Sequence, residues 1–210
     1  MMTRAQIIRW LEMSAEMFKE KKAYLTELDS AVGDADHGIN MARGFTKVTE
    51  KLPSVADTDI GNILKFTGMT LISSVGGASG PLYGTFFMRA AGAVTSKEEL
   101  SAEDIVNLFE KGLEGLVQRG RAEVGEKTMI DAMVPAVDAM KTAQADGAEI
   151  AAVVQAGVQA AEKGVESTIP LVARKGRASY LGERSAGHQD PGATSTFYLL
   201  STLAEAIKSE

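Results

Sequence analysis

Apolar residues recur three and four positions apart along most of the chain, with polar residues between them, and this period predicts helices. Thr3, with Gln6 three residues on, forms a capping-box pattern. Ile7, Leu11 and Phe18 then carry a first helix to about Leu25. Leu28-Asp29-Ser30 and Gly33 break it. A second helix is expected from Ile39 to Lys51, stopped by Pro53. A third is expected from Asp59 to Ser74, with Ile60, Ile63, Leu64, Met69 and Ile72 in the core. Pro81 suits the first residue of a fourth, where its missing N–H breaks no helical bond. Ser101 with Asp104 opens a fifth, through Leu108 and Leu116. A sixth spans about Thr128 to Ala143, with a kink expected at Pro135. The alanine-rich stretch from Ala148 to Ser167 is a seventh, and Thr194 to Ile207 an eighth. No run of four alternating residues lies between hairpin turns, so no strand is expected. The pattern therefore predicts an all-α fold of about eight helices in one domain, residues 1–210, without repeat or linker.

Composition narrows the class. The chain has 210 residues, 21 of them glycine, and no cysteine. A single domain of this length buries a substantial core without covalent staples. The absence of cysteine excludes disulfides and thiolate metal sites, and fits a cytoplasmic protein. With 22 Lys and Arg against 28 Asp and Glu, the net charge of −6 argues against nucleic acid as the main partner. No apolar run approaches the ~18 residues that span a bilayer, so no membrane partner is expected, and the N-terminus lacks a signal-peptide pattern.

The densest chemistry is Leu28-Asp29-Ser30-Ala31-Val32-Gly33-Asp34-Ala35-Asp36-His37-Gly38-Ile39-Asn40. Three carboxylates in one short inter-helix turn repel each other unless a cation joins them. Hard oxygen ligands favour Mg²⁺, Ca²⁺ or Mn²⁺ over zinc. An EF-hand is excluded, because its twelfth-position carboxylate is missing: counting from Asp34 reaches Phe45, and from Asp29 reaches Asn40. Three aspartates can hold two ions that clamp a polyphosphate. The alternative is that they are solvated helix caps.

A second turn, Ser73-Ser74-Val75-Gly76-Gly77-Ala78-Ser79-Gly80-Pro81-Leu82-Tyr83-Gly84, offers glycine-permitted backbone N–H groups before a helix N-terminus. It is not a P-loop, since no Gly-Lys-Ser/Thr follows. Alone it reads equally as a plain helix–helix turn; beside an aspartate cluster it completes the two parts that phosphoryl transfer needs. The long irregular stretch between Arg174 and Gly192 reads as a lid or a mobile surface loop. Its Lys175, Arg177 and Arg184 could reach phosphate oxygens, and His188 is a phosphate contact, a phospho-acceptor or a plain loop residue. Leu82 and Met129 are candidates for an adenine pocket or for the core.

Four motifs in register over nearly the whole chain resemble the nucleotide-binding L subunits of bacterial dihydroxyacetone kinases. They are Gly33-Asp34-Ala35-Asp36-His37-Gly38-Ile39-Asn40, Gly76 through Gly84, Arg174 through Arg184, and Gly187-His188-Gln189-Asp190-Pro191-Gly192-Ala193. The resemblance implies eight antiparallel helices forming a barrel with the nucleotide at one end. It implies that Asp29, Asp34 and Asp36 bind two Mg²⁺ ions bridging the phosphates of ADP or ATP. It places nucleotide contacts at His37, Gly38, Ile39 and Asn40, at Ala78 and Ser79, and on the covering loop at Arg177, Asp190, Pro191 and Gly192. Gly120 and Met129 fall near its adenine–ribose contacts.

The family implies partners as well. Fused to a substrate-binding K domain, the L unit uses ATP. As a separate subunit it keeps ADP, which a third subunit, M, phosphorylates from the phosphoenolpyruvate phosphotransferase system; the phosphoryl group then passes to dihydroxyacetone on K. A chain ending at Glu210 has no room for a K domain, so the free-standing, phosphotransferase-linked form is expected. Two other readings stand: a subunit of an ATP-dependent kinase for dihydroxyacetone or a related short sugar, and a divalent-metal-binding interaction module without transfer activity.

Overall fold

The computed structural model describes residues 1–208, so Ser209 and Glu210, the last two positions of the expected domain, lie outside the described residues. Among the described residues there are nine α-helices: α1 (Arg4–Glu20), α2 (Lys22–Val32), α3 (His37–Lys51), α4 (Ile60–Ser74), α5 (Ser79–Ala93), α6 (Ala102–Gly120), α7 (Ile130–Ala145), α8 (Ile150–Ser167) and α9 (Pro191–Lys208). Two 3₁₀ segments, Leu52–Ser54 and Arg177–Ser185, lie in the connections. Met2–Thr3 (β1) pairs antiparallel with Glu99–Leu100 (β2), a contact too short to leave an alternating pattern.

The ninth helix arises because the first expected helix is two. Lys21 leaves helical geometry at φ −86° and ψ 5°, so α1 and α2 form one bent rod. No glycine or proline marks the bend. The capping boxes are present. Gln6 N–H donates to Thr3 Oγ1 at 3.3 Å and Thr3 N–H to Gln6 Oε1 at 2.9 Å. Asp104 N–H donates to Ser101 Oγ at 3.1 Å, with the return bond at 3.0 Å. Boundaries shift elsewhere. α3 begins at His37, two residues before Ile39, and α7 begins at Ile130 and continues through Pro135. Pro81 is the third residue of α5 rather than the first, still within the turn whose N–H groups lack helical acceptors.

Helices α1, α3, α4, α5, α6, α7, α8 and α9 each pack on the next, and α9 returns to α1. They close a ring of eight, and α2 leans on α3 and α9. The interior is filled by aromatic and aliphatic side chains. Trp10 and Phe87 pack tilted at 42° with centroids 5.6 Å apart, Phe86 meets Phe87 at 5.3 Å, and Phe18 meets Phe45 at 4.8 Å. Trp10 spends its one polar atom on the Leu199 carbonyl at 2.9 Å. Two of the expected core residues do not join this interior. Met69 and Ile72 are 48% and 47% exposed, because Ile60, Ile63, Leu64 and Leu71 already occupy the inward stripe of α4. α4 and α5 approach closely through glycine: a Cβ on Gly68 would stand 2.7 Å from the Gly84 carbonyl oxygen.

The connections alternate between the two ends of the ring. The turn between α4 and α5, the loop between α6 and α7, and the segment between α8 and α9 share one end. The strand pair and the α3–α4 connection share the other, where Ile60 N–H donates to the Lys97 carbonyl. Neighbours therefore run antiparallel, and the N-termini of α3, α5, α7 and α9 meet at one mouth. No helix among the described residues is long and apolar enough to cross a membrane.

Candidate functional site

The mouth holds a cavity of about 190 Å³ lined by Asp29, Asp34 and Asp36, the Gly76–Ser79 turn, residues 175–178 from the middle of the α8–α9 segment, and Asp190, Pro191 and Gly192 at the start of α9. Asp29, on the last turns of α2, is buried, and its Oδ2 accepts hydrogen bonds from the N–H groups of Asp36 at 2.8 Å and His37 at 3.0 Å. These are two of the orphan donors at the start of α3, so one carboxylate caps the next helix and folds the turn back. The chain reverses through Ala35 at φ 59°, a conformation costly for a residue with a Cβ. As a result Asp29, Asp34 and Asp36 each present an oxygen, all within 4.8 Å of one another. Arg177 of the 3₁₀ segment sets its Nη2 3.1 Å from Asp34 Oδ2.

His37 is buried between two hydroxyls, with Nδ1 3.0 Å from Ser79 Oγ and Nε2 2.9 Å from Ser195 Oγ. Burial pushes its pKa down to about 4, against the upward pull of Asp29 and Asp36, so the ring is neutral at pH 7. Tyr83 continues the chain at 2.6 Å from Ser195 Oγ, and burial raises its phenol pKa despite its hydroxyl partners. The ring of His37 thus ties the first turns of α3 and α5 to the second turn of α9.

Asp190, just before α9, accepts the Ala193 N–H at 2.7 Å, as a helix N-cap does. Burial raises its pKa to about 7, and the Ala193 bond and Lys127 only partly oppose this. Beside this cavity lies a second of about 270 Å³, largely apolar, lined by Pro81, Leu82, Leu116, Gly120, Met129 and Ile130 among others. The two share Ala78, Leu82, Thr128, Met129, Lys175 and Gly176.

Most of the residues singled out in the sequence are therefore brought together, but not all by their side chains. Gly38, Ile39 and Asn40 do not line either cavity. Gly38 is packed against the Lys22 carbonyl, and Ile39 is 42% exposed on the outer side. Asn40 accepts from Arg43 Nη2 at 2.7 Å and lies beside Gly76. Arg184 and His188 are exposed and line neither cavity. Gly77, with φ 64°, is the turn residue that needs glycine's conformational freedom.

Four site residues escaped the sequence reading: Lys127, Asp131, Tyr83 and Ser195. Asp131 accepts the N–H groups of Gly125 at 2.5 Å and Thr128 at 2.7 Å. The Thr128-x-x-Asp131 spacing was a usable capping signal for it. Tyr83 and Ser195 meet across 112 positions of sequence and left none.

The chain is 52% identical over 207 residues to the "PEP-dependent dihydroxyacetone kinase, ADP-binding subunit DhaL" of Escherichia coli, covering 99% of each chain. It is 42% identical over 207 residues to the "PTS-dependent dihydroxyacetone kinase, ADP-binding subunit DhaL" of Lactococcus lactis, covering 99% of this chain and 100% of that one. The crystal structure of the dihydroxyacetone kinase from C. freundii in complex with AMP-PNP and Mg²⁺ superposes with a TM-score of 0.71 at 26% identity, covering 95% of this chain but only 33% of that larger one. The family model described as the DAK2 domain matches residues 31–205, from the aspartate turn to the last helix of the ring, and the chain belongs to that family.

Proposed function

We propose that this chain is the ADP-binding phosphoryl-transfer subunit of a dihydroxyacetone kinase. Its bound ADP accepts a phosphoryl group from a phosphotransferase-system M subunit and, as ATP, passes it to dihydroxyacetone on a K subunit in the cytoplasm. The observation that carries this reading is the convergence of three aspartates to within 4.8 Å, at the mouth where four helix N-termini meet. The whole-length likeness to two ADP-binding subunits supports it.

The donor set fits hard divalent ions: three carboxylates, no nitrogen or sulfur, on a turn already folded by Asp29. Asp29, Asp34 and Asp36 would hold two Mg²⁺, which supply charge neutralisation at the phosphate oxygens. The protein's own part is to position and to screen. The N–H groups of the Gly76–Ser79 turn face the phosphates, and α3, α5, α7 and α9 point the positive ends of their dipoles at them, while the first N–H groups of α3, α7 and α9 are held by Asp29, Thr128 and Asp190. Ala78 and Ser79 supply phosphate contacts, and His37 fixes Ser79 rather than transferring a proton. Gly38, Ile39 and Asn40 contribute through the backbone that starts α3. The apolar cavity at Gly120 and Met129 takes the adenine. Arg177 pairs with Asp34 and covers the phosphates from outside, and Asp190, Pro191 and Gly192 form the opposite wall. No side chain is covalently phosphorylated, because the nucleotide is the carrier.

Phosphorus NMR of the extracted native protein tests this. Stoichiometric ADP that survives dialysis is expected, and is lost in Asp34→Ala. A folded wild-type protein without nucleotide, indifferent to added ADP and Mg²⁺, would overturn the reading. Fast exchange with free ATP and repeated turnover on ATP with a K partner would instead establish an ATP-dependent kinase subunit.

A further inference from the structure

The residues between Ile169 and Asp190 form a strap that leaves α8, crosses the mouth with Lys175, Gly176 and Arg177, and returns to α9. Its two ends meet at a neck. There Gly187 N–H donates to the Ile169 carbonyl at 2.7 Å, and Asp190 N–H to Thr168 Oγ1 at 3.0 Å. Lys127 penetrates this neck. It is 1% exposed, and its Nζ donates to the carbonyls of Thr168 at 2.6 Å, Leu171 at 3.2 Å, Ile169 at 3.4 Å, and His188. The first three acceptors belong to the outgoing end of the strap and the fourth to the returning end.

We propose that Lys127 is a positioning residue that clasps the neck of this strap and so holds the nucleotide beneath it. The inference rests on the nucleotide reading above for what lies under the strap, not for the clasp itself.

Three observations make the case. First, the two irregular ends bring four carbonyl oxygens around one point; those of Thr168 and Ile169 also accept the Leu171 and Gly187 N–H groups, and an ammonium, with three donors on one atom, reaches the Leu171 and His188 carbonyls as well. Second, the backbone of Lys127 has φ 64°, where glycine fits without strain, so the turn by itself does not call for a lysine. Third, the lysine stands on a fixed base. Asp131 holds Gly125 and Thr128 on either side of it, and Arg174 N–H donates to the adjacent Glu126 carbonyl at 3.1 Å. Burial lowers the Lys127 pKa, while Asp190 and Asp131 favour its charge. The clasp thus couples the start of α7 to a segment whose middle carries the exposed Arg177. With the neck open, Arg177 and Lys175 lose their fixed distance to the mouth, and bound nucleotide loses its cover.

Hydrogen exchange on nucleotide-free protein, together with release of a fluorescent ADP analogue from Mg²⁺-loaded protein, tests this. In the wild type, the amides of Gly187 and Asp190 are expected to exchange more slowly than those of Gly182 and Glu183. In Lys127→Met and Lys127→Gly, the neck amides should exchange about tenfold faster or more, with the amides inside α4 and α5 unchanged. ADP release should accelerate by a similar factor of about ten, with association altered by less than about threefold. A neck as exposed as the strap centre in the wild type overturns the clasp, and that result needs no variant to fold. Wild-type behaviour in Lys127→Gly overturns it as well, as does unchanged ADP release from a loosened neck. A wild type that binds no ADP defeats the nucleotide reading, while the exchange comparison still decides the clasp.

Discussion

Asp190 shows how burial converts an ordinary side chain into a pH-dependent one. Its pKa rises from 3.8 to about 7 because water is excluded, and the Ala193 N–H and Lys127 recover only part of the lost solvation. The folded protein therefore binds this proton more tightly than the unfolded chain does, and protonation favours folding. The contribution is favourable at low pH and is lost as pH rises from about 4 to about 7. Asp190→Asn removes it. In urea unfolding of metal-free protein, the stability of wild type minus that of Asp190→Asn is expected to fall across this window and to be level on either side. A difference that rises with pH would contradict the burial argument. The three metal-ligating candidates were visible in the sequence because they share one turn of eight residues, and proximity in sequence there is proximity in space. Lys127 was not visible. Its partners are backbone carbonyls 41 to 61 positions away, and a carbonyl leaves no mark on residue identity.

Helices were legible wherever the signal was local. Thr3 with Gln6 and Ser101 with Asp104 announced their caps, since a hydroxyl and a carboxylate or amide three residues apart answer the same orphan N–H groups. The bend at Lys21 was not legible, because packing of α2 on α3 and α9 imposes it against a good helical sequence. The same applies to Met69 and Ile72, whose apolar character said nothing about which stripe of α4 would face inward. Helix contacts set the cost of change at particular glycines. A methyl on Gly68 would meet the Gly84 carbonyl at 2.7 Å and the Met88 N at 3.0 Å, both backbone atoms that cannot move aside. Overpacking of this kind costs about 1–3 kcal/mol, against a gain of about 1 kcal/mol in helix propensity. Gly68→Ala should therefore lower Tm by a few degrees. A methyl on Gly92, in α5, would have no neighbouring atom within 4 Å, so Gly92→Ala should raise Tm slightly. Thermal unfolding of the two variants side by side checks the opposite signs.

In the whole molecule, function follows from an even ring. Eight helices of alternating direction bring four N-termini to one mouth and send the connections with β1 and β2 to the other end. The expectation of about eight helices was close to this; ring closure between α9 and α1 joins residues about 200 positions apart, so the periodicity carried no sign of it and only the family resemblance implied the barrel. That closure has a topological consequence. Gln6 Nε2 donates to the Ile207 carbonyl at 3.0 Å, so the start of α1 and the end of α9 lie side by side, remote from the mouth. The barrel consequently has no seam, and the α9–α1 junction is interchangeable with any other connection on that side. A circular permutant joined through a short flexible linker and opened between Asp146 and Gly147 should keep its helical circular dichroism and its ADP. One opened between Gly76 and Gly77 should keep the helices but release the nucleotide.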